Sequence, residues 1–179
     1  MTPETQARRN RLPAVIERWA PKLQEIIPPD LNATALLTAL AWQESLFGIL
    51  GGRSRVEPGY RPKGAYYREH VLTLYDDFGD AAASSWSSWQ VMYPTAWELG
   101  FRAYPWDLRD DGIAVAYVLR YIDRRAVQRG AVTVEKIARA YNSGTHEGPE
   151  TDYMRRVRRY YDKAVAALAA HQGLDTLEV

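Results

Sequence analysis

At 179 residues, with 46% hydrophobic residues and a formal net charge of +1, the chain has material for one well-cored domain and no global field to draw it to nucleic acid. The absence of cysteine excludes disulfides, thiolate zinc sites and cysteine nucleophiles, and three scattered histidines, His70, His146 and His171, argue against a histidine metal centre. Chemistry is left to carboxylates, hydroxyls and amides, with neither metal nor cofactor.

Taken in chain order, the pattern is mainly α. Residues 1–10 are polar, without the apolar core of an export signal, and read as a loose tail, as do residues 173–179. Helical spacing of apolar residues over 14–27 predicts a first helix, interrupted at Pro21. Pro28, Pro29 and Asp30 punctuate, and Asp30 or Asn32 caps a second helix to about Phe47, which Gly48, Gly51 and Gly52 break. Glu44 is the only carboxylate in the apolar run 35–47 of that helix. A charge at the end of such a helix is costly to bury unless it is paired or protonated, so Glu44 reads as a carboxyl held ready to donate a proton. Glycines, prolines and arginines between 49 and 64 leave room for a small hairpin at most. Residues 65–78 read as helix, 84–88 as a polar turn of small residues, and 95–100 as a short helix closed by Gly100. Helical segments 110–130, 132–141 and 152–172 complete the pattern, with connections of ordinary length. No stretch reaches the roughly 18 apolar residues of a membrane span. The expectation is one mainly α domain over 1–179, monomeric and not inserted in a membrane.

Twelve tyrosines and six tryptophans against three phenylalanines form an unusual aromatic set. Rings with a polar handle suit flat, hydroxylated ligands such as sugars, because a face can stack while the edge hydrogen-bonds. Trp86 and Trp89 are placed equally well on a sugar or in the core. The run Arg155, Arg156, Arg158, Arg159 and Lys163 reads as the solvated face of the last helix, with Tyr153, Val157, Tyr160, Tyr161 and Val165 as its apolar stripe.

Three separated segments carry a combined signature. Ala41, Trp42, Gln43, Glu44 and Ser45 resemble the A-x-Q-E-S helix end of the soluble lytic transglycosylases and their goose-type lysozyme relatives. Ser88, Trp89, Gln90, Val91 and Met92, then Thr95, Ala96, Leu99 and Gly100, resemble the family segment G-L-M-Q-x-M-P-x-T-A-x-x-L-G. Ala138, Arg139, Ala140, Tyr141, Asn142, Ser143 and Gly144 are similar to A-A-Y-N-A-G, and Glu150, Thr151 and Tyr153 resemble the E-T-x-x-Y-V helix start that follows it. The resemblance covers about residues 31–161. It departs at Ser87, Ser88 and Trp89, where the family has glycine, leucine and methionine, and at Pro94, displaced by one position. Glu57, Pro58, Gly59 and Tyr60, with Tyr66 and Tyr67, lie in a segment outside the pattern that is similar to phage and prophage lytic members.

The resemblance implies a lysozyme-like helical domain that cuts the β-1,4 bond between N-acetylmuramic acid and N-acetylglucosamine in peptidoglycan. It makes Glu44 the general acid and then the base, closing the muramyl 6-hydroxyl onto C1 as a 1,6-anhydro sugar without consuming water. It assigns Gln90, Tyr141, Asn142, Glu150 and Ser45 to substrate, with Tyr141 orienting Glu44 or the sugar through its hydroxyl. A hydrolytic lysozyme would activate water instead, and an inverting one would want a second carboxylate roughly 6.5–9.5 Å away. Glu57 is the first candidate and Asp76, Asp77 and Asp80 the others. A non-catalytic glycan-binding or phage structural module is the alternative of another class. The implied partner is the glycan strand, with the basic helix face drawn to an anionic wall. The implied location is the bacterial cell wall or periplasm, reached by phage lysis or another route.

Overall fold

A computed structural model describes residues 1–50, 54–66 and 69–170; Gly51, Gly52, Tyr67, His171 and the tail 173–179 lie outside them. The described residues form seven α-helices and three short strands. The helices are α1 (Pro3–Gln24), α2 (Ala33–Ser45), α3 (Glu69–Phe78), α4 (Tyr93–Glu98), α5 (Asp111–Arg125), α6 (Val134–Ser143) and α7 (Asp152–Ala169), and the strands β1 (Arg55–Val56), β2 (Ser84–Trp86) and β3 (Val91–Met92). This is the mainly α architecture with a minor sheet that the sequence periodicity predicts.

The hub is α2. Ala35, Leu36, Leu37, Ala39, Leu40 and Ala41 are all fully enclosed, as befits a helix that is apolar all round. Asn32 starts it by accepting the Ala35 N–H at 2.9 Å. The Asn32 N–H in turn donates to the Tyr161 hydroxyl at 2.8 Å, which fastens the cap to α7. Helices α7 and α1 both pack on α2, and α6 packs on α7.

The first helix departs from expectation. Thr2 accepts the Thr5 N–H and Pro3 opens the helix, so residues 3–10 are helical rather than a loose tail, and Arg8 is buried. Neither Pro13 nor Pro21 interrupts it. An interior proline costs about 3 kcal/mol. Enclosure of Leu12, Ile16 and Leu23, at about 1.5–3 kcal/mol each, offsets that cost.

The sheet also differs from a local hairpin in 49–64. β1 pairs antiparallel with β2 through Arg55↔Ser85 and Val56↔Ser84, and β2 pairs with β3 through Ser85↔Met92 and Trp86↔Val91. Residues 84–86, expected as a turn, are the central strand. The buried hydroxyls there are satisfied: Ser84 Oγ donates to the Asp80 carbonyl at 2.6 Å and Ser85 Oγ to Gln90 Oε1 at 2.9 Å. Trp86 and Trp89 are both buried. Trp89 Nε1 donates to the Leu37 carbonyl at 3.0 Å, so these tryptophans belong to the core and not to a sugar platform.

On α7 the apolar stripe runs through Tyr153, Val157, Tyr160 and Tyr161, but Val165 is 38% exposed and Ala164 takes its place. Arg158 pairs with Asp162 at 2.9 Å and with Glu135 at 3.1 Å, consistent with a solvated basic face.

Candidate functional site

An open cleft of about 800 Å³ runs past the end of α2, bordered by the sheet, α4, α5 and the end of α6. Glu44 is on its floor, in the last turn of α2. That turn stops abruptly because Leu46, Phe47 and Gly48 take left-handed φ values of 51°, 54° and 84°. Two non-glycine residues in that region cost about 1–2 kcal/mol each. The anchor is Phe47, fully buried and stacked on Trp42 with ring centroids 5.5 Å apart.

Ser45 is not a cleft residue. It is fully buried, its Oγ donates to the Ser88 carbonyl at 2.7 Å, and it accepts the Gly48 N–H at 2.9 Å. It bolts the end of α2 to the β2–β3 connection.

The Glu44 carboxyl is half-buried. Loss of solvation holds its pKa above the ordinary carboxylate value; a hydrogen bond from Tyr153 and the charge of Arg55 oppose the rise, and the charge of Glu57 adds to it. The Tyr153 hydroxyl donates to Glu44 Oε1 at 2.5 Å. Tyr153 itself is buried in the first turn of α7, and its phenol is held well above the ordinary value by burial and by Glu44. Tyr153 therefore orients the acid.

Tyr141 does not. Its hydroxyl donates to the Trp89 carbonyl at 2.7 Å, so it braces the hairpin connection while its ring lines the cleft. Gln90 also lines the cleft, with both ends of its amide engaged locally: Nε2 donates to the Ser87 carbonyl at 2.9 Å and Oε1 accepts from Ser85. One amide hydrogen and one lone pair remain for a ligand. Asn142 is exposed on the cleft at the end of α6, where Gly144, at φ 76°, terminates the helix.

Glu57 lies in the cleft wall, tied to Arg55, whose Nε donates to Glu57 Oε1 at 2.5 Å. Glu150 is outside the cleft lining; it is exposed at the start of α7 and pairs with Arg155 at 3.3 Å. Asp80 is likewise outside, engaged by Arg61 at 2.5 Å and by the Tyr75 hydroxyl at 3.0 Å, and Asp76 and Asp77 are exposed away from the lining.

The structure adds residues that sequence reasoning did not place. Tyr60 and Tyr66, with ring centroids 5.5 Å apart, form an aromatic wall, and Tyr121 faces the same space. Arg55, Glu98 and Arg125 supply its other charges. Tyr153 was legible as part of a helix stripe and of the resembling helix start, but without a role, because spacing says nothing about where a hydroxyl points. Chemically, the arrangement offers a carboxyl that favours its proton, a phenol donor that steadies the carboxylate once the proton leaves, and flat rings with amides beside them. No family model, curated protein or solved structure matches the chain.

Proposed function

We propose that the chain cleaves the glycan strand of peptidoglycan between N-acetylmuramic acid and N-acetylglucosamine, acting as a lytic transglycosylase. The observation that carries this reading is Glu44: a desolvated carboxyl on the floor of an open cleft, held by a tyrosine hydroxyl. Protonated Glu44 gives its proton to the glycosidic oxygen as the C1–O bond breaks. The carboxylate so formed, steadied by Tyr153, takes the proton of the muramyl 6-hydroxyl as that oxygen bonds to C1. The products are a strand end with a free 4-hydroxyl and a 1,6-anhydromuramyl end. Gln90, Asn142 and the Tyr60 and Tyr66 rings are suited to hold N-acetyl groups and sugar faces.

Hydrolysis to reducing ends is the second reading, favoured by Glu57 in the same cleft. Its ion pair with Arg55 at 2.5 Å speaks against a free general base. Clearing of a peptidoglycan suspension by the wild type and by Glu44→Gln tests the catalytic role: equal clearing defeats it. Mass spectrometry of the released fragments separates the two outcomes, since anhydro ends are lighter by one water.

A further inference from the structure

Next to the cleft, on the side of Tyr121, is a second recess of about 400 Å³. Thr95, Glu98, Tyr121 and Arg125 line both spaces, so the two adjoin. Arg124 and Arg129 line only the recess. Both are exposed, and neither makes an ion pair among the described residues. Arg125 pairs with Glu98 at 3.4 Å, with both side chains about 40% exposed. The neighbouring Asp123 is occupied by the Gln128 amide at 2.9 Å. The recess thus presents three guanidinium groups to one carboxylate.

Arginines in the last turn of a helix are favoured by its dipole, which accounts for Arg124 and Arg125 at the end of α5. It does not account for Arg129, in the short turn Val127–Arg129 that follows, or for the convergence of all three on a space adjoining the cleft. We infer that this recess is a subsite for free carboxylates on the peptide stems carried by muramyl residues of the strand lying in the cleft. The inference rests on the peptidoglycan reading above. Where a stem is attached, the lactyl carboxyl of the muramyl residue is taken up in an amide, so the carboxylates of that strand lie on the stems, and the recess shares Thr95, Glu98, Tyr121 and Arg125 with the cleft. Guanidinium groups match carboxylates in a planar, two-pronged geometry. The protein accordingly prefers stem-bearing glycan to bare glycan.

Calorimetric titration of the Glu44→Gln protein, which halts turnover, tests this with three ligands: a bare glucosaminyl-muramyl tetrasaccharide whose lactyl carboxyls are capped as methylamides, the same saccharide with tripeptide stems, and the free tripeptide. The expected result is about tenfold tighter binding of the stem-bearing saccharide than of the bare one. The preference should vanish when Arg124→Gln and Arg129→Gln are added, and shrink in about 0.5 M salt. The free tripeptide should bind more weakly than either saccharide. Equal binding of the two saccharides, or a preference that survives the double substitution, overturns the subsite while leaving the peptidoglycan reading intact. Failure of both saccharides to bind, in the Glu44→Gln protein and the wild type alike, overturns both. Thermal melting of the double variant within about 2 °C of its parent, as expected for exposed substitutions, ties any loss of preference to the recess.

Discussion

At Glu44 two opposing influences meet on one carboxyl: burial favours the proton, and the hydroxyl of Tyr153 favours the charge. A hydrogen bond to a charged group is worth about 1.5–3 kcal/mol, and here it comes into full force as the proton leaves. Tyr153→Phe keeps the ring and removes the bond. The expected outcome is a maximal rate lower by about 10–100-fold and an alkaline limb of the pH–rate profile moved upward, because the remaining influence raises the pKa; clearing assays from about pH 4 to pH 9 read both. Stability should follow the same carboxyl. A folded-state pKa above the ordinary 4.5 means the contribution of Glu44 is fully present below pH 4.5 and is lost as pH rises through the raised value. Glu44→Gln removes that loss while costing about 10²–10⁴ in rate. Its melting temperature should therefore exceed that of the wild type near neutrality, with the gap closing toward about pH 4; a gap independent of pH would show that Glu44 is not strained by burial. The acid was legible in the sequence because it is the only charge in an apolar run. Its partner was not, and Tyr141, the residue expected there, spends its hydroxyl on the Trp89 carbonyl. Glu150 stands outside the cleft lining, at a helix start where an acid is equally served by the dipole and by the nearby Arg155.

Among the elements, those with long periodic stripes were legible and those made by distant pairing were not. Helices α2, α5, α6 and α7 fall close to where apolar spacing and caps put them, with Asn32, Asp110, Thr133 and Thr151 each accepting a first-turn N–H. Strands of two or three residues carry no period, and β1 finds its partner about thirty residues away, so a local reading could place a hairpin but not this sheet. Proline misled for the opposite reason, being a strong local signal overridden by packing. Pro21 is exposed and its ring denies α1 a backbone bond, so Pro21→Ala should stabilise the fold by about 2 kcal/mol after allowing for the freer unfolded chain, measured by urea unfolding. The loop that follows β1 makes a sharper case. A Cβ on Gly64 would sit 2.4 Å from the Gly59 carbonyl oxygen and 2.6 Å from that of Pro58, both backbone atoms that cannot swing aside. Tyr66 N–H donates to the same Gly59 carbonyl at 2.8 Å. Gly64→Ala must therefore open the turn and shift the Tyr60–Tyr66 wall. On the proposed reading, in which the wall binds sugar and Glu44 is untouched, the expectation is a KM raised about tenfold on soluble glycan fragments with kcat changed less than threefold; a change confined to kcat would remove these tyrosines from substrate binding.

The whole molecule converges on residues 87–90. Ser45 from α2 donates to the Ser88 carbonyl at 2.7 Å, Tyr141 from α6 to the Trp89 carbonyl at 2.7 Å, and the Ser88 N–H to Asp111 of α5 at 2.7 Å, while Trp89 reaches back to the Leu37 carbonyl. Arg8 of α1 stands 3.9 Å from the same Asp111, both side chains at most 10% exposed. Ser87 and Gln90 are held at φ 70° and 50°, a strained backbone that persists only where its surroundings over-determine it. The cleft is thus a property of three helices gripping one hairpin, with α1 backing the grip through Arg8, and the grip has a central charge. Burial raises the pKa of Asp111, while the Ser88 N–H and Arg8 oppose the rise. Asp111→Ala strips the buried Arg8 of this carboxylate and the Ser88 N–H of its acceptor, which should cost about 3–5 kcal/mol in urea unfolding. Asp111→Asn keeps an acceptor for Ser88 and loses only the charge, so it should cost less. If the hairpin is what aligns Gln90 with the end of α2, both variants should lose activity in the same order, at a temperature where each is folded by circular dichroism. An Asp111→Ala protein that melts lower yet clears peptidoglycan at the wild-type rate would separate the grip from the site, leaving Ser45 and Tyr141 as sufficient anchors.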